Sequence, residues 1–182
     1  MPTLLLDGTS LRIEELWKVL TEPGWRVEID QQARHRMERS HAWLRHWLRS
    51  AEPVYGITTG FGGLAAVRIS PEEAIELQYN LVRSHSVGAG GWIPPEVVRA
   101  MLILRANVFA RSYSGVRPIV AERLLDLFNH GLIPAIPKQG SVGASGDLVQ
   151  LAHLALALIG EGYFLTEQGL EPAAEALVRH GL

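Results

Sequence analysis

In Ala144-Ser145-Gly146 three adjacent residues are of types that can react with one another. Glycine lacks a Cβ, so the Gly146 nitrogen can take up dihedrals closed to other residues and approach the Ala144 carbonyl carbon. Loss of water from that adduct, and of the Ser145 β-hydroxyl as a second water, leaves a five-membered ring carrying an exocyclic methylene. No unmodified side chain provides such an electrophile. Serine supplies the β-leaving group, and alanine keeps the first position small. The bare tripeptide is common, but here it is the centre of Gly140-Ser141-Val142-Gly143-Ala144-Ser145-Gly146-Asp147-Leu148 and leads into an apolar stretch, 148–159.

Two rival chemistries use the same residues. Ser145 as a hydrolase nucleophile requires the second glycine spacing of a nucleophile elbow and a strand before it, and neither pattern is present. Gly140, Gly143 and Gly146 at a helix start also suit an anion nest. They match neither the dinucleotide fingerprint nor the phosphate loop with its lysine. An intact mass separates the readings, because cyclisation removes about two waters' mass.

Glycine is concentrated in three predicted loops, 51–69, 84–94 and 132–146. Gly56, Gly60, Gly62 and Gly63 fall in the first, Gly88, Gly90 and Gly91 in the second, and Gly140, Gly143 and Gly146 in the third. Clustering of permissive backbone around reactive groups suits a close-packed site, although any one of these stretches alone reads as a turn. His35, His41 and His46 share a predicted helix, but their spacings do not put them on one face as a two-histidine metal motif would, so no metal is expected. His153 reads as a satisfied core histidine.

The elements that must hold these loops are mostly helical. Ser10 is positioned to cap a first helix through Leu20, and Asp30 a second to about Ser50. Ser70-Pro71-Glu72-Glu73 is a capping box with proline at the first helical position, opening a helix toward Ser84. Further helices start at Pro94-Pro95-Glu96, ending near Arg111, at Pro118, ending at Gly131, at Gly146-Asp147, and at Pro172. Thr3–Leu6 and Val27–Ile29 are the two expected strands. The fold class is therefore mainly α, with helices joined by Gly-rich loops and few short strands.

Composition narrows the function classes. The 182 residues are 47% hydrophobic and 20% charged with a formal net charge of −2, which describes an ordinary globular domain with no basic stripe for nucleic acid. There is no cysteine, hence no disulfide framework or thiolate site. The short run Leu4-Leu5-Leu6 lacks a preceding basic region and does not read as a signal peptide, and the apolar stretch near 148–160 is too short for a bilayer, so a cytoplasmic location without membrane partners is expected.

Four segments in order along the chain resemble the histidine and phenylalanine ammonia-lyase family. They are Tyr55-Gly56-Ile57-Thr58-Thr59-Gly60-Phe61-Gly62, then Leu77-Gln78-Tyr79-Asn80-Leu81-Val82-Arg83-Ser84-His85, then Arg105-Ala106-Asn107 with Ser114-Gly115-Val116-Arg117-Pro118, and the reactive run itself. The resemblance is closest to the histidine-acting branch. It implies that Ala144-Ser145-Gly146 forms 4-methylidene-imidazol-5-one autocatalytically, with no metal or nucleotide. It implies that Tyr55 removes the substrate's β-proton, and that Ser84 and His85 lie against the substrate side chain. Gly60, Phe61, Gly62, Asp147 and Leu148 would support the loops. A phenol serves as a base only once its anion is stabilised, and helix starts near Gly146 and Pro95 are candidate dipoles.

A polar Ser84-His85 pair argues for a polar substrate ring, imidazole or phenol. The implied reaction is elimination of ammonia from an aromatic amino acid, L-histidine to urocanate first. Tyrosine or phenylalanine elimination and a 2,3-aminomutase reaction are the alternatives, and a non-catalytic fragment or subunit is the alternative of another class. The chain departs from the family pattern at Gln150, where proline is almost always found, at Ser112, usually glycine, at Gly63, commonly lysine, and at Thr58, often asparagine. Family members are much longer. Residues 1–182 are thus expected to be the N-terminal, prosthetic-group-bearing domain, without the central and C-terminal helical portions. The expected partners are an amino acid substrate and further copies, or a separate chain carrying the remainder.

Overall fold

The computed structural model describes residues 1–49, 53–144, 146 and 148–182. β1 (Thr3–Leu6) and β2 (Arg26–Ile29) form a parallel ladder with Leu4 opposite Val27, joined by α1 (Ile13–Thr21). Leu6 and Val27 point into the core. Asn129 extends this ladder, its Oδ1 accepting the Val27 N–H and its Nδ2 donating to the Val27 carbonyl, each at 3.0 Å. The side chain does there what a third strand would do.

Asp30 caps α2 (Gln31–Trp47), its Oδ1 accepting the N–H groups of Gln32 and Ala33. Ser70 and Glu73 form the expected capping box at the start of α3 (Pro71–His85). α4 (Pro95–Ala110) and α5 (Pro118–Asn129) carry the centre of the core, where Val98, Leu102, Ile103 and Ala106 pack with Ala121, Leu124, Leu125 and Phe128. Burial of these side chains supplies the main stabilising term for the scaffold.

The first helix corrects the sequence reading. Its N-cap is Arg12, whose N–H donates to Glu15, while the Ser10 N–H is taken by Asp7 Oδ1 three residues earlier. The second helix ends at Trp47, and Ser50 lies outside the described residues.

The strands are more numerous than expected. Besides β1 and β2, the chain forms β3 (Ala89–Trp92), β4 (Ile133–Pro134), β5 (Pro137–Gln139), β6 (Tyr163–Thr166) and β7 (Gly169–Pro172). β3 pairs antiparallel with β5, and β4, β6 and β7 form a second antiparallel sheet. α6 (Val149–Leu158) lies between β5 and β6, and α7 (Ala173–Arg179) closes the chain. The fold remains mainly α.

Ser112 is the one non-glycine residue with positive φ, +68°, among those described. Only glycine takes this left-handed conformation without strain. The departure from glycine at this position therefore carries a backbone cost that the structure makes visible.

Candidate active site

The second and third loops are one structural unit. In the β3–β5 ladder Ala89 stands opposite Gln139 and Trp92 opposite Pro137, with an irregularity between them. Above this ladder the Gly88 N–H donates to His153 Nε2 on α6 at 3.1 Å. Burial holds the His153 ring below the usual histidine pKa, which keeps it neutral and able to accept. A Cβ on Gly88 would stand 2.8 Å from Pro137 Cβ, and one on Gly140 would stand 2.8 Å from Val149 Cγ1. Both glycines are required by close approach. The Arg83 guanidinium and Glu161 carboxylate join the end of α3 to the residues after α6.

The reactive loop leaves β5 and returns into α6. Ser141 Oγ accepts the Val149 N–H at 3.1 Å and donates to Gln150 Oε1, while Gln150 Nε2 donates to the Lys138 carbonyl at 3.2 Å. Between these ends the Gly146 N–H donates to the Gly143 carbonyl at 3.3 Å, with Gly146 at φ +76°. Ala144, next to Gly143, is exposed. Leu148 is the N-cap of α6, so the helix begins at Val149 and not at Gly146-Asp147. Two of the predicted site residues, Ser145 and Asp147, lie outside the described residues.

In the first loop, a short 3-10 turn over Gly62–Leu64 sits beside Tyr55. The Tyr55 hydroxyl oxygen accepts the Gly62 N–H at 3.1 Å. This donor is a loop amide. The Phe61 ring meets the Tyr55 ring edge-on at 5.8 Å and lies where a Cβ on Gly56, at φ +69°, would have to go. The Gly60 N–H donates to Val67 O. Thr58 and Thr59 are buried, and the Thr58 Oγ1 accepts the Val54 N–H at 2.8 Å. Threonine at 58 therefore has a structural use of its own.

Ser84 and His85 form the last two residues of α3. His85 Nδ1 lies 2.9 Å from the Leu81 carbonyl and 3.1 Å from Ser84 Oγ, which itself donates to Leu81 O. A carbonyl only accepts, so the contact with Leu81 O takes a proton on Nδ1 and leaves Nε2 without a partner among the hydrogen bonds of the described residues.

The structure brings the second and third loops together, whereas Tyr55 makes its contacts within the first. Among the described residues no hydrogen bond joins Tyr55 to Ser84, His85 or the reactive loop. Tyr55 is 62% exposed, and Ser84, His85 and Leu148 are exposed as well. Exposed apolar side chains, Trp43 and Ile75 among them, also mark the surface.

Residues 11–182 match the family model described as aromatic amino acid lyase. The chain belongs to that family. A histidine ammonia-lyase of Geobacillus sp. (strain WCH70) is 47% identical over 179 residues, taking in 98% of this chain and 35% of that protein. The crystal structure of histidine ammonia-lyase from Trypanosoma cruzi matches with a TM-score of 0.87 at 38% identity, covering 100% of this chain and 34% of that one. Tyrosine aminomutase from Streptomyces globisporus matches with a TM-score of 0.91 at 36% identity, over 100% of this chain and 34% of its own. The chain thus spans about a third of the length of these relatives.

For an aromatic amino acid lyase chain, sequence reading passed over Ser141, which accepts the Val149 N–H and donates to Gln150, and the bond by which Gly88 and His153 tie the loops together. Glycine spacing hinted at the second of these. Nothing in a lone serine hints at the first. No helix among the described residues is long and apolar enough to cross a membrane.

Proposed function

We propose that the chain is the N-terminal, electrophile-bearing part of a lyase that eliminates ammonia from an aromatic amino acid, with L-histidine to urocanate as the first candidate reaction. The observation that carries this reading is the sequence Ala144-Ser145-Gly146 in a glycine-rich run on a lyase-family scaffold, with Gly146 bonded back to Gly143. The turn suits ring closure, since Gly146 has the positive φ that a side chain would resist and its nitrogen is folded back toward Gly143 around Ala144. Once formed, the methylidene-imidazolone would supply an electrophilic carbon for the substrate's amine and so make ammonia a good leaving group.

The chain's own residues have separate tasks. Tyr55, its oxygen already accepting the Gly62 N–H, would take the β-proton. His85 would meet the substrate ring through Nε2, with its other nitrogen held by Leu81. Gly60, Phe61 and Gly62 would fix the Tyr55 loop. Because Tyr55 and His85 are exposed, the site would be enclosed by further copies or by the portion that the longer relatives carry beyond this match, which would exclude water from the reacting centre.

The likeness to tyrosine aminomutase favours a second reading, in which the ammonia returns to the β-carbon of a phenolic substrate. Ser84-His85 suits a phenol as well as an imidazole.

The test has two parts. The wild-type chain is expected to be lighter than its sequence mass by about two waters, with Ser145→Ala at full mass. Incubating the full assembly with histidine, tyrosine and phenylalanine, while following absorbance of the unsaturated acid, distinguishes substrates. Near-normal turnover by Ser145→Ala would overturn the electrophile.

A further inference from the structure

We infer that Gln150 is a positioning residue for ring closure, and that with Ser141 it latches the two ends of the reactive loop. The inference rests on the reading that Ala144-Ser145-Gly146 cyclises, and deepens it by naming what holds the segment ready.

Gln150 occupies the second position of α6, where a backbone N–H has no partner within the helix and a side chain is free to face solvent. Instead its amide spans the loop. Oε1 accepts from the Ser141 hydroxyl at the loop's entry, and Nε2 donates to the Lys138 carbonyl inside β5. The same Ser141 oxygen accepts the Val149 N–H, the first free donor of α6. Three hydrogen bonds therefore tie the end of β5 to the start of α6 and fix both ends of the loop. Gly140 lets the ends come this close, for a Cβ there would also stand 3.2 Å from Gly88 Cα.

Cyclisation is sensitive to such fixing. The Gly146 nitrogen bonds to the Ala144 carbonyl carbon and its proton passes to the carbonyl oxygen. That hydroxyl leaves as water with the Ser145 amide proton, and the Ser145 hydroxyl leaves as a second water with the Cα proton. No oxidant is needed. The first step joins two poor reactants, so its rate depends on how often the loop presents nitrogen to carbonyl. Loop ends held in place spend less time in unreactive conformations. Proline, the residue usual at this position in the family, restricts the same turn through its ring. Gln150 restricts it through bonds.

The experiment follows the intact mass of the chain at intervals after a short pulse of synthesis, with thermal midpoints measured on the same samples. Gln150→Ala is expected to slow loss of the two waters about tenfold while its midpoint stays near that of the wild type. Ser141→Ala should slow it comparably, and the double variant no further than the slower single one, because both act through one latch. Gln150→Glu, which keeps an acceptor for Ser141 but loses the donor to Lys138, should fall between, and carries the test if Gln150→Ala does not fold. Ser70→Ala, which weakens α3 away from the loop, should cyclise at the wild-type rate. Equal rates for wild type and the Gln150 variants overturn the inference alone. A wild-type chain that keeps its full mass overturns the proposed function and the inference with it.

Discussion

The Gly88 N–H donates to His153 Nε2 across 3.1 Å and 65 positions of sequence, and so joins the loop after α3 to the helix that follows the reactive turn. Because the ring accepts through Nε2, protonation there breaks the bond. Burial already lowers the folded-state pKa below the ordinary 6.5. As pH falls through 6.5 the unfolded chain takes up a proton before the folded one does. The stabilisation is thus complete above that pH and is lost between it and the lower folded value. Denaturant midpoints measured between about pH 8 and about pH 5 should show this fall. His153→Phe should remove that part of the slope and cost about 1–3 kcal/mol for the unpaired Gly88 N–H. An unchanged slope would assign the dependence to another group.

Replacing Tyr55 by phenylalanine keeps the ring that meets Phe61 and removes only the oxygen that accepts from Gly62. Since Tyr55 is largely exposed, stability should change by less than about 1–2 kcal/mol. Turnover of the catalytic assembly should fall by a factor on the order of a hundred or more. Full activity in Tyr55→Phe would mean that another group takes the proton.

His85→Phe tests selectivity. It replaces an imidazole anchored on Leu81 with a hydrocarbon ring, and the ratio of kcat/KM for phenylalanine over histidine should rise by about tenfold or more. A wild-type assembly already preferring phenylalanine to both histidine and tyrosine would refute the assignment of His85.

Ser112→Gly should stabilise the chain. Relief of the left-handed conformation is worth about 1–2 kcal/mol, against the greater backbone freedom of glycine in the unfolded state, leaving a net gain of up to about 1 kcal/mol. Calorimetry on the two chains measures it directly, and a lower midpoint for Ser112→Gly would show that the Ser112 hydroxyl bond to Ala110 O outweighs the strain.

What was legible in the sequence was local. Ser70-Pro71-Glu72-Glu73 announces α3 because the cap, the proline and the returning carboxylate all act within one turn. β3 announced nothing, since Ala89-Gly90-Gly91-Trp92 has no alternation and its partner, Pro137–Gln139, lies far along the chain. Ala144-Ser145-Gly146 could be singled out as a candidate electrophile because the chemistry proposed for it is intramolecular. Tyr55 and His85 were found only through the motifs around them, as a tyrosine or histidine of unknown neighbours has no distinguishing mark. The Ser141–Gln150 contact was hidden for the same reason, and Gln150 stood out only as a missing proline. Ser112 is the opposite case, an oddity in the sequence whose meaning became plain once its φ was known.

The β3–β5 pairing has a consequence for how such a chain can vary. His85 lies four residues before the ladder and Gly140 directly after it, so the ladder is the common ruler from which the proposed substrate-facing residue and the proposed reactive segment are both measured. A slip of one residue in its register would displace one against the other by about 3.3 Å, more than the tolerance of any bond-making geometry. Insertions between His85 and Ala89 or between Gln139 and Ala144 should therefore be far rarer in working relatives than insertions of equal length in the α4–α5 connection, where the added residues leave that distance untouched.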